Sequence, residues 1–561
     1  MDALTHVLVL PEALERLDAP SIIIPRTANT PEEVVPYAHL TDLTQSLQHD
    51  LATLGISVGS KVAMVLPNGL QFVTVLLAAI RQRAISAPIH PNSTREECKQ
   101  IFSLMTPDLV VVISSEASLN GLSGTKAAVL AAQDLGLPVA SCHRHPQNRQ
   151  HGFLLALELV GHGDETSNNP SPCTVYSRDD VLAEDEVLEL FTSGTTGSPK
   201  SVQLTHTNIL VAMRIIISAH KLTSKDRSFL ITPLFHIIGL AGSLLPTLFT
   251  GGCAVIPASL PATFWQDCQD YSITWYHAVP TLHHLLLSFP MPKAGVPTTL
   301  RFIRSGGSDM SPDLFNRLQK LGVPLLEVYG MTETAPAIFC NPFPVTETST
   351  TIKRHPGQYP IPDAVDVMIL PPERAPGLEP NCDPDEIEKI EPVSRLTKEL
   401  GVKGEICLRG KNIMAGYTNN PTANGEAFLP NGFFRTGDLG VIKPRQYLAL
   451  IGRVKEIINK GGEKVSPAEI EHVARLHDEV NDAACFRIND EIYGEIIGLA
   501  IVAKPATKCI TTTAVKKHMR YHLVMFKVPD KILFVQEIPY NRTGKPRRTL
   551  LSEMYNKGEL A

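Results

Sequence analysis

The chain has no C-x-x-C pair among its ten cysteines and no surplus of basic residues. Each absence excludes a class. Cys142 lies beside His143 and close to His145, but no second ligand pair stands at metal-binding spacing, so a structural metal site is not expected. The thiols read as reduced cysteines of an intracellular protein. With 51 basic against 57 acidic residues and a net charge of -6, nothing suggests a nucleic-acid surface. Ile237 to Ile256 is twenty residues without a charge, long enough for a membrane span, yet Pro246 and Gly251-Gly252 interrupt it. A buried helix, a turn and a core strand explain it better, and no membrane span is expected. Met1-Asp2-Ala3-Leu4 lacks the basic start of a signal peptide, and Glu559-Leu560-Ala561 is not a peroxisomal tripeptide. A cytoplasmic protein is expected.

What is present is globular and divided: 561 residues, 43% hydrophobic and 19% charged, exceed a single core. Residues 35 to 115 alternate helix and strand signals: Leu40 to Leu54 helical, Lys61 to Leu66 a strand, Leu70 to Arg83 helical, Leu109 to Ile113 a buried strand. That rhythm predicts a doubly wound parallel sheet. The polar run from Gly161 to Arg178 reads as a surface loop.

The loop leads into Phe191-Thr-Ser-Gly-Thr-Thr-Gly-Ser-Pro-Lys200, which follows an apolar run, Val187 to Leu190. Small hydroxyl residues and two glycines let backbone N–H groups approach an anion, and Lys200 adds a positive charge. Pro199 before Lys200 breaks the P-loop frame, so a cradle on a helix N-terminus is not expected. Alone, the stretch could be an ordinary Ser/Gly turn.

Further stretches follow at intervals. Thr207 to Ser218 reads as a helix and Phe229 to Thr232 as a strand ending at Pro233-Leu234-Phe235-His236. Ser272 to Ala278 and Leu300 to Arg304 are further predicted strands, the latter followed by a Ser305-Gly306-Gly307-Ser308 turn against which a flat ligand could lie. Then come Val328-Tyr329-Gly330-Met331-Thr332-Glu333-Thr334, an acidic, proline-rich segment from Pro371 to Lys403, and a strand from Gly404 to Arg409. Arg435-Thr436-Gly437-Asp438, Gly452-Arg453-Val454-Lys455, Gly461-Gly462-Glu463-Lys464 and Asn541-Arg542-Thr543-Gly544-Lys545 complete the series.

Together these motifs resemble the adenylate-forming superfamily of acyl- and aryl-CoA synthetases, luciferases and peptide-synthetase adenylation domains. The resemblance runs from about Leu40 to Lys545, in family order. Thr274 to Thr281, Gly461 to Pro467 and Phe526-Lys527-Val528-Pro529 look most like the oxalyl-CoA synthetase branch and like fungal ligases that prime secondary-metabolite pathways. The segment Ser305-Gly306-Gly307-Ser308-Asp309 departs from the small apolar sequence of oxalate-type relatives.

The resemblance implies an α/β protein. A large N-terminal domain of doubly wound sheets with a small β-barrel-like subdomain (residues 1–452) would precede a small mobile α+β domain (residues 453–561) hinged near Lys455. It implies a ligase using ATP, Mg2+ and coenzyme A through an acyl-adenylate. By family position, Ser193, Thr195, Thr196 and Lys200 would hold phosphates. Thr332 would bond the α-phosphate and Glu333 would ligate Mg2+. Gly306, Gly307 and Tyr329 would hold adenine, and Asp438 and Arg453 the ribose. Lys545 would serve the first step and the Gly461-Gly462 loop the second. His236, His277, Arg304, Ser305, Met331 and Ala335 would line the acid pocket, with a small or aromatic acid as substrate and an acyl-CoA-using enzyme downstream. Loading of a carrier protein in trans, or a luciferase-like or degenerate nucleotide binder, are the alternatives.

Overall fold

The computed structural model describes residues 17–27, 30–113, 123–145, 153–160, 171–193, 199–308, 310, 312–344, 358–371, 401–443, 447–460, 463–504, 510–540 and 546–560. Two large sheets dominate it. One has seven strands in the spatial order Leu154–Leu159, Val139–His145, Leu109–Ile113, Lys61–Val65, Ile85–Pro88, Glu186–Ser193, Pro199–Thr205. Its middle pairs are parallel and its outermost pairs antiparallel. The other has eight, ordered Ala337–Cys340, Leu325–Gly330, Phe302–Gly306, Trp275–Ala278, Arg227–Phe229, Cys253–Val255, Pro20–Ile24, Glu33–Pro36, again parallel inside and antiparallel at both ends. Parallel strands need helical crossovers, so both faces are covered and the strands read as apolar runs. Leu109–Ile113, sequence LVVVI, is such a strand.

The principal core lies where helices Tyr37–Thr53, Leu70–Arg81 and His206–His220 are packed against both sheets. Every residue of Leu70–Arg81 except Gln71 and Arg81 is buried, which is why its sequence is apolar all round rather than striped. Thr205 opens His206–His220 with a capping box to Asn208.

Residues beyond 357 form a five-stranded antiparallel sheet in the order Gln358–Pro360, Tyr447–Arg453, Phe434–Lys443, Lys403–Arg409, Asp366–Leu370. The expected barrel-like unit is thus an open path of strands among the described residues. A last sheet carries Glu463–Val465, Ile458–Lys460, Gly494–Ala503 and Val480–Asp490, with Lys531–Phe534 added beside Gly494–Ala503. Helices Pro467–Arg475, Thr512–His522 and Arg548–Asn556 accompany it.

Several predicted boundaries move, each for a local reason. The strand predicted from Ser272 begins at Trp275, because Ser272 takes φ 50° in a turn. The strand predicted over Phe229 to Thr232 ends at Phe229. Beyond it Leu230 N–H still donates to Val255 O at 2.8 Å, and Pro233, lacking an N–H, stops the ladder. The strand predicted from Leu300 to Arg304 spans Phe302–Gly306 and takes in part of the expected turn. The uncharged run resolves into a short helix Ile237–Gly239, a π-helical turn Leu240–Leu244, a helix Leu245–Phe249 and the strand Cys253–Val255. No helix among the described residues is long and apolar enough to cross a membrane. Residues 161–170 and 372–400, within the expected surface loop and the acidic segment, lie outside the described residues.

Candidate active site

The organising stretch is the tip of a β-hairpin. Glu186–Ser193 pairs antiparallel with Pro199–Thr205, matching Thr192 to Lys200 and Ser193 to Pro199. Lys200 therefore projects from a strand, as the broken P-loop frame predicts, and the next helix, His206–His220, starts only at that strand's far end. Thr195 and Thr196 lie outside the described residues, as does the side chain of Ser193.

A third segment closes on this hairpin. Tyr417 bridges Val202, and Thr418 N–H donates to Ser201 O at 3.1 Å. Asn424 clamps Tyr417 from both sides, its Oδ1 accepting the Tyr417 N–H at 2.6 Å and its Nδ2 donating to the Tyr417 carbonyl at 2.9 Å. The ring so fixed lies under Lys200 Nζ, 4.7 Å from the ring centre, a cation–π contact. Its hydroxyl donates to Glu333 Oε1 at 2.9 Å.

Glu333 stands in the one-turn 3-10 helix Thr332–Thr334, straight after the strand Leu325–Gly330. Two remote contacts hold that turn. Met414 N–H donates to the Glu333 carbonyl at 2.9 Å, and Asn412 Nδ2 donates to the Thr334 carbonyl at 3.2 Å. Asn208, whose Nδ2 donates to the carbonyls of Lys411 and Ile413, pins the same segment to the helix His206–His220. Met331 and Thr332 are half-buried at the turn's entry, and Ala335, fully buried, leaves it at φ 55°.

A second polar cluster lies opposite. Asp438 and Arg453 face each other across paired strands, and Arg453 Nε meets Asp438 Oδ1 at 3.0 Å. Tyr329 donates its hydroxyl to Asp438 Oδ2 at 2.8 Å, while its ring stacks on Phe339 with centres 5.6 Å apart. Burial first, then the Asp438 carboxylate, holds the Tyr329 phenol well above its ordinary pKa, so the hydroxyl stays a donor.

Electrostatics joins the clusters. Burial raises the pKa of Glu333, while the Tyr417 hydrogen bond and Arg453 oppose that rise and Asp438 adds to it. The carboxylate is thus held in a low-dielectric position with one oxygen bonded to Tyr417. No group of three or more His, Cys, Asp or Glu suited to a metal occurs among the described residues. The single Glu333 carboxylate fits Mg2+, which is commonly held by one or two carboxylates and completed by substrate phosphates and water.

The acid-pocket candidates separate. His277 and Arg304 are register partners on adjacent strands and share a face, with Arg304 Nε donating to His277 Nδ1 at 3.2 Å. Arg304 Nη2 donates to the Gly242 carbonyl and to Ser243 Oγ in the π-helical turn, both at 2.6 Å, and its guanidinium lies 4.7 Å from the Trp275 ring centre. Arg304 is fully buried, no carboxylate touches it among the described residues, and its Nη1 has no hydrogen-bond partner. Burial lowers its pKa to about 10, so it stays charged at neutral pH. Ser305, the next residue on the strand, points to the opposite face. Gly306 is required by packing, since a Cβ there would stand 2.6 Å from Val328 Cγ2; only Gly307, at φ +86°, belongs to the exposed turn.

His236 caps the short helix Ile237–Gly239, its exposed ring 4.4 Å from that of Phe235. Partial desolvation and then His90 lower its pKa, which keeps it neutral at physiological pH. The backbone of Lys455 lies in the 3-10 turn Val454–Glu456, and its side chain is outside the described set, as are Gly461, Gly462 and Lys545.

Tyr417 was not legible as a site residue, because a lone tyrosine after glycine carries no motif. Tyr417→Phe keeps the ring beneath Lys200 and removes only the bond to Glu333. Acid-dependent pyrophosphate release should fall by about tenfold, the cost of a hydrogen bond to a charged group. A loss under twofold would show that the bond to Glu333 is idle.

Residues 18–418 match the family model of AMP-binding enzymes, and residues 469–545 that of the AMP-binding enzyme C-terminal domain. The acyl-CoA synthetase FUM10 of Gibberella moniliformis is 89% identical over 100% of both chains. The oxalate–CoA ligase of Arabidopsis thaliana is 34% identical, over 92% of this chain and 93% of its own. ATP-bound MatB from Rhodopseudomonas palustris shares the fold, with a TM-score of 0.78 and 24% identity over 99% of both chains. The chain thus belongs to the AMP-binding, adenylate-forming enzymes, as an AMP-forming acid–thiol ligase of the fungal secondary-metabolite type that works with ATP, Mg2+ and coenzyme A.

Proposed function

We propose that the enzyme activates a small carboxylic acid carrying a second anionic group. The observation that carries this reading is Arg304, a fully buried guanidinium that no carboxylate touches among the described residues. Burying a cation without a counter-charge is costly, and an anion arriving with the substrate would offset that cost. The relative named for oxalate acts on a dicarboxylate, which supports the same class.

Two steps make the reaction. A carboxylate oxygen attacks the α-phosphorus of ATP, the bond to the β-phosphate breaks, and pyrophosphate leaves. The coenzyme A sulfur, having lost its proton, then attacks the acyl carbon and AMP leaves. The first step joins an anion to a polyanion, so it needs cations and fixed dipoles. In this reading Lys200, Ser193, Thr195 and Thr196 take the outer phosphates. Thr332 bonds the α-phosphate, and Glu333 holds Mg2+, which supplies charge neutralisation. Tyr329, Gly306 and Gly307 flank adenine, and Asp438 with Arg453 takes the ribose. His236, His277, Met331 and Ala335 border the acid, with Ser305 on the far face of its strand. Residues 453–561 swing about Lys455, presenting Lys545 for the first step and Gly461-Gly462 for the second.

The thioester passes to an acyl-CoA-using enzyme. We place the reaction in the cytoplasm, supported by the eight described cysteines, all unpaired thiols.

The test is pyrophosphate release across matched mono- and dicarboxylic acids with wild type and Arg304→Met. Dicarboxylates should lose at least tenfold in kcat/KM, about 1.4 kcal/mol, while monocarboxylates change less than threefold. Equal losses on both series, or an aromatic monoacid outstripping every dicarboxylate on wild type, would overturn the proposal.

A further inference from the structure

The strand Lys61–Val65 of the seven-stranded sheet ends in Leu66-Pro67-Asn68-Gly69 before the helix Leu70–Arg81 begins. The side chain of Asn68 does not cap that helix. It reaches across to the other large sheet. Asn68 Nδ2 donates to the Thr232 carbonyl at 3.2 Å, and Asn68 Oδ1 accepts the Leu234 N–H at 2.9 Å. The two contacts use one donor and one acceptor of the amide on residues two apart, much as a neighbouring strand would. They begin just where the strand Arg227–Phe229 has ended and Pro233 has denied the segment a ladder of its own.

The clamped segment carries His236. Thr232 is held from its other side, its hydroxyl donating to the His277 carbonyl at 2.9 Å. The His236 N–H donates to the Pro233 carbonyl at 3.2 Å, so the turn bearing the histidine is built on the residue between Asn68's two anchors. Gly239 packs so closely on that carbonyl that a Cβ would stand 2.2 Å from Pro233 O. The seven-stranded sheet supplies a second contact there: His90, which follows the strand Ile85–Pro88, sets its ring 4.6 Å from Phe235.

We infer that Asn68 is a positioning residue for acid binding: its amide fixes the Thr232–Leu234 backbone, and through it the direction in which His236 meets the substrate. The inference rests on the reading of His236 as an acid-site residue. The Asn68 amide is engaged through its nitrogen and its oxygen with the Thr232–Leu234 backbone, so one sheet sets a side chain carried by the other.

Asn68→Ala should raise KM for the acid by about tenfold, as expected when two hydrogen bonds of ordinary strength are lost, and leave KM for ATP within twofold. The discriminating measurement is the double variant. His236→Ala alone should also raise the acid KM, and Asn68→Ala added to it should change that KM less than twofold, because the group it directs is gone. An Asn68→Ala acid KM within twofold of wild type would overturn the inference. So would an undiminished Asn68 effect in the His236→Ala background, or a silent His236→Ala beside an active Asn68→Ala. A His236→Ala without effect on acid KM marks failure of the His236 reading itself, whereas an active His236→Ala beside an inert Asn68→Ala marks failure of the clamp alone. Should Asn68→Ala fail to fold, Asn68→Asp is held to the same criteria; it keeps the acceptor for Leu234 N–H and loses the donor to Thr232.

Discussion

Glu333→Gln is expected to lower acid-dependent pyrophosphate release by about a thousandfold, equivalent to roughly 4 kcal/mol of transition-state stabilisation. The variant keeps the shape of the side chain and its acceptor for the Tyr417 hydroxyl. It removes the only charge this turn offers to a divalent cation. The same change should make the ligand-free protein no less stable near pH 8, which separates a functional from a structural role. Burial raises the Glu333 pKa above the ordinary value of 4.5, so the folded chain binds that proton more tightly than the unfolded one. Stability from this group is therefore fully present below the ordinary value and is lost as pH rises through the raised one. Glutamine, which stays neutral, escapes that loss, so the melting temperature of the variant relative to wild type should climb with pH across that window. Adenylation within tenfold of wild type would remove Glu333 from the metal role.

Lys545→Ala is expected to divide the two half-reactions. Acid-dependent pyrophosphate release should fall by about a hundredfold to a thousandfold, the range for removing one preorganised charge from a developing anion. Thioester formation from supplied acyl-adenylate should remain within about threefold. The flanks of this lysine explain why the protein should survive the change. Tyr540 bridges Pro546, and Arg547 N–H donates to Pro539 O at 2.8 Å. Arg548 grips Glu471 with Nε and Nη2 at 3.0 and 2.9 Å, and reaches Glu456 with Nη1 at 2.6 Å. These contacts close the base of the segment without its lysine. Equal losses in both half-reactions, measured on the same preparation, would withdraw the assigned step.

The residues proposed for the nucleotide stood out in the sequence because their chemistry clusters along the chain. Lys200 comes with its hydroxyl-rich turn, Glu333 with Tyr329 to Thr334, and Asp438 with Thr436 and Gly437. The Lys200 and Glu333 stretches stand at strand ends, where α/β sheets collect ligands, whereas Asp438 lies inside the antiparallel strand Phe434–Lys443. What the sequence hid is contact at long range. Tyr417 meets Glu333 across 84 residues, and Asn68 meets Leu234 across 166. A tyrosine after glycine and an asparagine in a Pro-Asn-Gly turn each have an adequate local explanation, so no local pattern marks either. Strand limits slipped for a smaller reason. Apolar character continues past the last ladder bond at Leu230 and Ile231, and periodicity does not sense where pairing stops. The acid pocket lay between these cases: the pattern offered Arg304 and Ser305 together, and the pleat of their strand sends them to opposite faces.

The bridge from Val202 to Tyr417 also bears on how the enzyme is made. The hairpin bearing Lys200 can leave the ribosome and pair with itself some two hundred residues before Tyr417 is synthesised. Until then Lys200 has no ring beneath it and Glu333 no hydroxyl to hold. Because chains form early domains during synthesis while distant partners wait, this cluster is completed late, after both large sheets have been translated. A nascent chain stalled before residue 417 would carry a folded hairpin, the Thr332–Thr334 turn and most of its core. It would still lack the ring beneath Lys200 and the hydroxyl bonded to Glu333.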